Sequence, residues 1–332
     1  MERPEALYLL YAKYFDTVYP AAVREEARRW AQVTDRCLPL EDLEAREADT
    51  SQTRVVLSGW GMPVADEAFM ARFPRLELIC YAGGSIRAFA TDAMWEQGVR
   101  VTHAASQNAQ PVAEFAFAHI VLACKRALPV MRESRRRRMF CRDTRVTGAY
   151  GVRVGVVSLG QIGRLVVERL RSLGVETVVY DVLEDPAWAR RAGVRYASLE
   201  EVFATCSVVS LHTPLLPQTI GLINEPLLNS MAPRSTLINT ARGAIVDQPA
   251  LVEMLRRRPD VTAILDVTCP EPPPDDSPLW QLDNAFVFPH LAGAMGSEHQ
   301  RLGQAMVDEL RRYVHRQPLT FEVTRESALA MA

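Results

Sequence analysis

Short runs of Val, Ile and Leu, each followed by a helix-period pattern, recur along most of this chain and constrain its fold more than any other feature. ALYLLY (6–11), TRVVLSG (53–59), LELICYA (76–82) and VRVTHA (99–104) form a first series, with helix-like stretches such as DEAFMARF between them. VRVGVVSL (152–159), ETVVYDV (176–182), CSVVSLHT (206–213), STLINTA (235–241), TAILDVT (262–268) and AFVFPH (285–290) form a second. The second series is spaced by QIGRLVVERLRSLG, SLEEVFAT, NEPLLNSM and QPALVEMLRRR. Strands that are apolar throughout must be covered on both faces, which is the habit of parallel sheets with crossover helices. The expectation is an α/β chain of two doubly wound parallel-sheet domains with a cleft between them. NAQPVAEFAFAHIVLACKRALPVMRESRRRR predicts one long helix over 109–135 joining them, its proline near the start where proline is tolerated. The last amphipathic stretch, SEHQRLGQAMVDELRRYVHR, is expected to return to the first domain. The boundaries read as 1–105 with 299–332, and 106–298.

Composition narrows the chemistry. With 332 residues and a formal net charge of −2, the chain can bury two cores and offers no reason to expect nucleic acid or an anionic membrane as partner. Lysine occurs only as Lys13 and Lys125. A Walker loop, which needs a lysine, is therefore excluded, and Schiff-base catalysis has few candidates. Arginine remains for gripping carboxylates. RRRR (135–138) reads as a solvated helix end near the negative pole of the dipole. The six cysteines are scattered without a C-x-x-C pair, mostly in apolar or helical surroundings that suit small buried thiols, and no metal site is expected. No basic segment precedes a long apolar run and no stretch reaches membrane-spanning length, so a cytoplasmic, reduced protein is expected.

VGVVSLGQIG (154–163) departs from the G-x-G-x-x-G pattern of a phosphate-cradling loop, because Ser158 stands where the first glycine is usual. The surroundings still fit. A strand precedes the loop, an amphipathic helix follows, and Gly160 and Gly163 fall at the turn. Gly160 lets backbone approach a pyrophosphate, and Gly163 lets helix and strand pack closely. Ser158, Gly160, Gln161, Ile162 and Gly163 would form the cradle. Asp181 ends the next strand, where a carboxylate accepts hydrogen bonds from a ribose 2′-hydroxyl and repels a 2′-phosphate. This points to NAD. If Ser158 needs a left-handed backbone, the cost is about 1–2 kcal/mol.

Three further segments converge on the same sheet edge. INTARGAIVD (238–247) places Arg242 beyond a strand, ILDVTCPEP (264–272) places Glu271 beyond another, and VFPHLAG (287–293) puts His290 at the end of a third. The carboxyl ends of strands line the ligand crevice of an open parallel sheet. An imidazole can give and retrieve a proton near neutral pH, a carboxylate on its other nitrogen fixes the tautomer, and a guanidinium can hold a carboxylate and polarise a carbonyl.

In these segments, together with LELI, NAQPVAEF and VSLHTPLLPQT, the chain resembles the D-isomer-specific 2-hydroxyacid dehydrogenases, which include phosphoglycerate, glycerate and D-lactate dehydrogenases. The resemblance is strongest from Leu76 to Gly303. It implies a flavodoxin-like substrate domain, a Rossmann NAD-binding domain and a homodimer formed through the latter. It makes Arg242, Glu271 and His290 the catalytic residues of a reaction between a 2-oxo acid and its D-2-hydroxy acid. It further implies that His212, Thr213, Pro214, Thr240, Ala241 and Asp266 border the cofactor, Asp266 facing the nicotinamide carboxamide. His103, His119, His299 and His315 lack this context and read as structural.

In CYAGGSIRAF, Gly83 and Gly84 correspond to the loop with which the family binds a substrate carboxylate, but Ser85 replaces a usual glycine and Arg87 a common aspartate. SGWGMP (58–63) places Trp60 or Met62 either against substrate or in the core. Two alternatives stay open at this point. One is an NAD-sensing binding protein, like the corepressors of the same family. The other is a dehydrogenase of a non-hydroxyacid such as phosphite.

Overall fold

The computed structural model describes residues 3–44, 48–143, 146 and 148–329; residues 1, 2 and 330–332, at the outer ends of the expected first domain, lie outside them. In chain order the strands are β1 (Ala6–Leu9), β2 (Val55–Ser58), β3 (Leu78–Tyr81), β4 (Arg100–His103), β5 (Arg153–Val157) and β6 (Glu176–Tyr180). They continue with β7 (Arg195–Tyr196), β8 (Val208–Leu211), β9 (Thr236–Asn239), β10 (Thr262–Leu265), β11 (Ala285–Val287) and β12 (Glu322–Val323). Two sheets result, in the orders β1-β2-β3-β4-β12 and β11-β10-β9-β8-β5-β6-β7. All the named strand pairs are parallel except β12 with β4. The chain divides into two units, Met1–Asn108 with Ala294–Ala332, and Ala109–Gly293.

In the first unit, alternate strand residues feed two cores. Tyr8, Leu57 and Leu78 pack with Leu302, Met306 and Leu310 of helix His299–Val314, while Leu9, Val56 and Ile79 pack with Phe69, Phe73 and Met94. Burying each such Val, Leu or Ile contributes about 1.5–3 kcal/mol, which is why strands apolar on both sides are retained. Helix His299–Val314 thus packs within the first unit. Its Glu309 is wholly buried and accepts from the N–H groups of Thr320 and Phe321, fastening the return toward β12.

In the second unit, Val157, Val209, Leu237 and Leu265 face one core, while Val156, Val208, Ile238 and Ile264 face the other. Strand order reverses at β5, which has β6 on one side and β8 on the other. That reversal opens a crevice at the carboxyl ends of the strands.

The long helix expected over 109–135 is two helices, Ala105–Cys124 and Ala127–Arg137, separated by Arg126 in a left-handed conformation (φ 49°). The Arg126 guanidinium donates to the carbonyls of Arg234 (2.7 Å) and Asp260 (3.2 Å), a tertiary anchor that overrides the local helical pattern. The cysteines also divide more evenly than expected: Cys80, Cys124 and Cys206 are buried, Cys37 and Cys141 half-buried, and Cys269 exposed. Among the described residues, no helix is long and apolar enough to cross a membrane.

Candidate active site

Beyond β5, Ser158 adopts φ 75°, the left-handed region where an L-residue costs about 1–2 kcal/mol. Gly160 is the N-cap of helix Gln161–Leu170, and Gln161, Ile162 and Gly163 form its first turn. A Cβ on Gly163 would stand 2.0 Å from the Ser158 carbonyl oxygen, so only glycine permits this approach of helix to loop. A Cβ on Gly160 would instead meet nothing within 4 Å. Open space therefore lies before the unpaired N–H groups of a helix N-terminus, an arrangement suited to a phosphate. Asp181, just past β6, spends both oxygens on this region: Oδ2 accepts from Leu159 N at 2.5 Å and Oδ1 from Leu183 N at 2.8 Å.

On the other side of β5, His212, Thr213 and Pro214 follow β8. Thr213 Oγ1 lies 3.0 Å from Ser158 Oγ, and His212 Nε2 lies 3.0 Å from Ser210 Oγ. Buried His212 Nδ1 and Thr240 Oγ1 have no hydrogen-bond partner among the described residues. Buried polar atoms are nearly always satisfied, so these two atoms, at the ends of neighbouring strands, fit a site completed by a polar ligand. The loop, the helix terminus and the orphaned atoms together suit a dinucleotide.

Burial pushes the His212 imidazole down from its usual value to about 4. In the unfolded chain it would titrate near 6.5, so between these values the unfolded state holds more protons and acid favours it. Stability is therefore expected to fall as pH drops from about 6.5 toward about 4, with His212 contributing at most about 3 kcal/mol. Urea unfolding across this range should show a slope shallower by nearly one proton in His212→Gln; an identical slope would remove the buried neutral imidazole from the account.

At the edge toward β11, three strand ends bring the expected catalytic residues together. Asn239, 1% exposed at the end of β9, accepts from Ala241 N and donates to the Arg242 carbonyl, each at 3.0 Å, bracing the turn that carries Thr240, Ala241 and Arg242. A Cβ on the next residue, Gly243, would fall 2.0 Å from the backbone of Thr268, so this turn presses against the segment leading to Glu271. Burial lowers the pKa of the Arg242 guanidinium, and the nearby Glu271 carboxylate partly restores it. The group stays cationic, as arginine does in proteins.

Glu271 Oε1 lies 2.5 Å from His290 Nδ1, with about half of each side chain exposed. A carboxylate accepts the Nδ1–H, which leaves Nε2 as the working nitrogen. Nε2 has no partner among the described residues. His290 itself has φ 52°. Asp266, 2% exposed, holds this turn in place. Its carbonyl accepts from His290 N (3.0 Å), and its carboxylate oxygens accept from Leu291 N (2.9 Å) and Ala292 N (3.0 Å). The side chain expected toward a carboxamide is thus already engaged with the backbone beyond His290.

In the first unit, the Gly83 N–H donates to the Tyr81 carbonyl at 2.8 Å, and the Gly84 carbonyl meets His103 Nδ1 at 3.0 Å. Trp60 packs against Tyr14 (5.1 Å between centroids) and His299 (5.0 Å), so much of its ring serves the core. Sequence reading passed over Asn239 and Phe115; the rings of Phe115 and His119, the latter read as structural, pack against Phe288, two residues before His290. A lone polar residue closing an apolar strand, as in LIN, is the signal that could have exposed Asn239.

Residues 117–292 match the family model described as D-isomer specific 2-hydroxyacid dehydrogenase, NAD binding domain. A D-3-phosphoglycerate dehydrogenase of Mycobacterium tuberculosis is 34% identical over 74% of this chain and 46% of its own length. The chain thus spans about half the length of these curated relatives. A glyoxylate reductase of Korarchaeum cryptofilum is 32% identical over 75% of this chain and 76% of its own. A dehydrogenase of Xanthobacter autotrophicus Py2, solved with NADPH and MES, superposes with TM-score 0.78 at 28% identity, covering 98% of this chain and 99% of that one.

Proposed function

Because the chain belongs to the D-isomer specific 2-hydroxyacid dehydrogenase family, whose NAD-binding domain it carries, we propose that it interconverts a 2-oxo acid and its D-2-hydroxy acid with NAD. The observation that carries this reading is the His290–Glu271 pair at 2.5 Å, beside a largely buried arginine on the sheet edge that also bears the nucleotide loop. Ser158, Gly160, Gln161, Ile162 and Gly163 would cradle the pyrophosphate, and Asp181 would face the adenosine ribose. His212, Thr213, Pro214, Thr240, Ala241 and Asp266 would border the remainder. NAD held there would supply the hydride-transfer chemistry.

The chain's own groups do the rest. Arg242 holds the substrate carboxylate and draws electron density toward the carbonyl oxygen. In reduction, His290 donates the Nε2 proton to that oxygen; in oxidation it takes the hydroxyl proton back. Glu271 accepts from Nδ1–H, which fixes the tautomer and the orientation of the ring. Asn239 and Asp266 hold the two turns that carry these groups. A homodimer formed through the second unit is part of the same proposal.

The test is NADH absorbance followed against glyoxylate, pyruvate, hydroxypyruvate and phenylpyruvate. At least one should be reduced with steady consumption of NADH. Consumption with none of them would overturn the assignment.

A further inference from the structure

The geometry points to Ser158 and Thr213 as a positioning pair that holds the dinucleotide loop in its binding conformation before the ligand arrives. The inference rests on reading residues 158–163 as that loop.

The backbone of Ser158 has little freedom. Its N–H donates to the Tyr180 carbonyl at 2.7 Å, and its own carbonyl lies under Gly163 so closely that a Cβ there would stand 2.0 Å away. These two contacts impose φ 75°, a conformation that glycine adopts freely and serine does not. The serine side chain at this position is engaged: Oγ meets Thr213 Oγ1 at 3.0 Å. Thr213 is 4% exposed and follows β8, so its hydroxyl has little access to water. On the opposite side, Leu159 N donates to Asp181 beyond β6 at 2.5 Å.

β5 lies between β8 and β6. The loop is therefore fastened to the strand ends on both sides, by a hydroxyl pair on one and a carboxylate on the other. Glycine would remove the strain but leave nothing to reach Thr213, and the β8 side would be free to move. Serine gives up conformational ease for a tether. A loop ordered in advance loses less freedom when the ligand binds.

The experiment is a fluorescence titration of the full chain with NADH, for wild type, Ser158→Gly, Thr213→Val and the double variant. Melting curves without NADH serve to confirm that each is folded. Each single change should weaken NADH binding about three- to tenfold, the effect of one net hydrogen bond. The double variant should bind no more weakly than the weaker single, because both changes cut the same tether. Undiminished affinity in Ser158→Gly would overturn the pairing. So would multiplying losses in the double variant, since Thr213 would then act on the ligand independently. Absence of NADH binding to the wild type is a different result, which removes the dinucleotide reading itself.

Discussion

Replacing His290 with glutamine is expected to cut turnover by about 10²–10⁴-fold, the usual worth of a positioned general acid or base, while NADH affinity stays essentially unchanged. Glutamine can still donate to Glu271 and still accept a hydrogen bond, but it cannot hand a proton to a carbonyl oxygen and recover it. The turn itself should survive, because three hydrogen bonds from Asp266 reach only backbone N–H groups, those of residues 290, 291 and 292. Steady-state kinetics with whichever 2-oxo acid is reduced fastest, beside a fluorescence titration with NADH, separates the two effects. Normal turnover in the variant would remove His290 as the acid and base. Lost NADH affinity would show instead that the turn had collapsed.

Arg242→Gln is expected to lower kcat/KM for the oxo acid by about 10²–10³-fold, the scale set by loss of one donor to a developing oxyanion, with KM rising as well. The group is largely buried, and Glu271 is the opposite charge acting on it. Its removal would therefore take away the proposed carboxylate grip and leave Glu271 short of a cation. Arg242→Lys should restore little, since an ammonium cannot reproduce a planar two-point grip on a carboxylate. Kinetics of both variants across substrate concentration decide the matter. Full rescue by lysine would reduce Arg242 to a point charge, and an unchanged KM in glutamine would remove it from substrate binding.

What could be read from the residues depended on which forces act locally. Strands β1–β6 and β8–β11 announced themselves because parallel strands covered on both faces must be apolar throughout. β7 and β12 did not, being two residues each at sheet edges, where little is buried. The break at Arg126 was hidden for another reason: it depends on carbonyls of residues 234 and 260, more than a hundred positions away. The turn at Ser158 was legible, since a missing glycine in an otherwise regular pattern foretells a left-handed backbone, and φ is 75°. Its link to Thr213 was not, because nothing in either residue's neighbourhood names the other. Arg242, Glu271 and His290 are individually ordinary, and only their order along the strands singles them out as candidates. The bracing by Asn239 and Asp266 stayed invisible because the groups they hold are backbone amides and carbonyls, which every residue possesses.

The most direct measurement is a single-turnover comparison of wild type and His290→Gln, each saturated with NADH and mixed with the same 2-oxo acid. The imidazole's role requires rapid loss of NADH absorbance in the wild type and a trace slower by at least about a hundredfold in the variant. Equal traces would mean that the proton comes from somewhere other than the pair formed by His290 and Glu271.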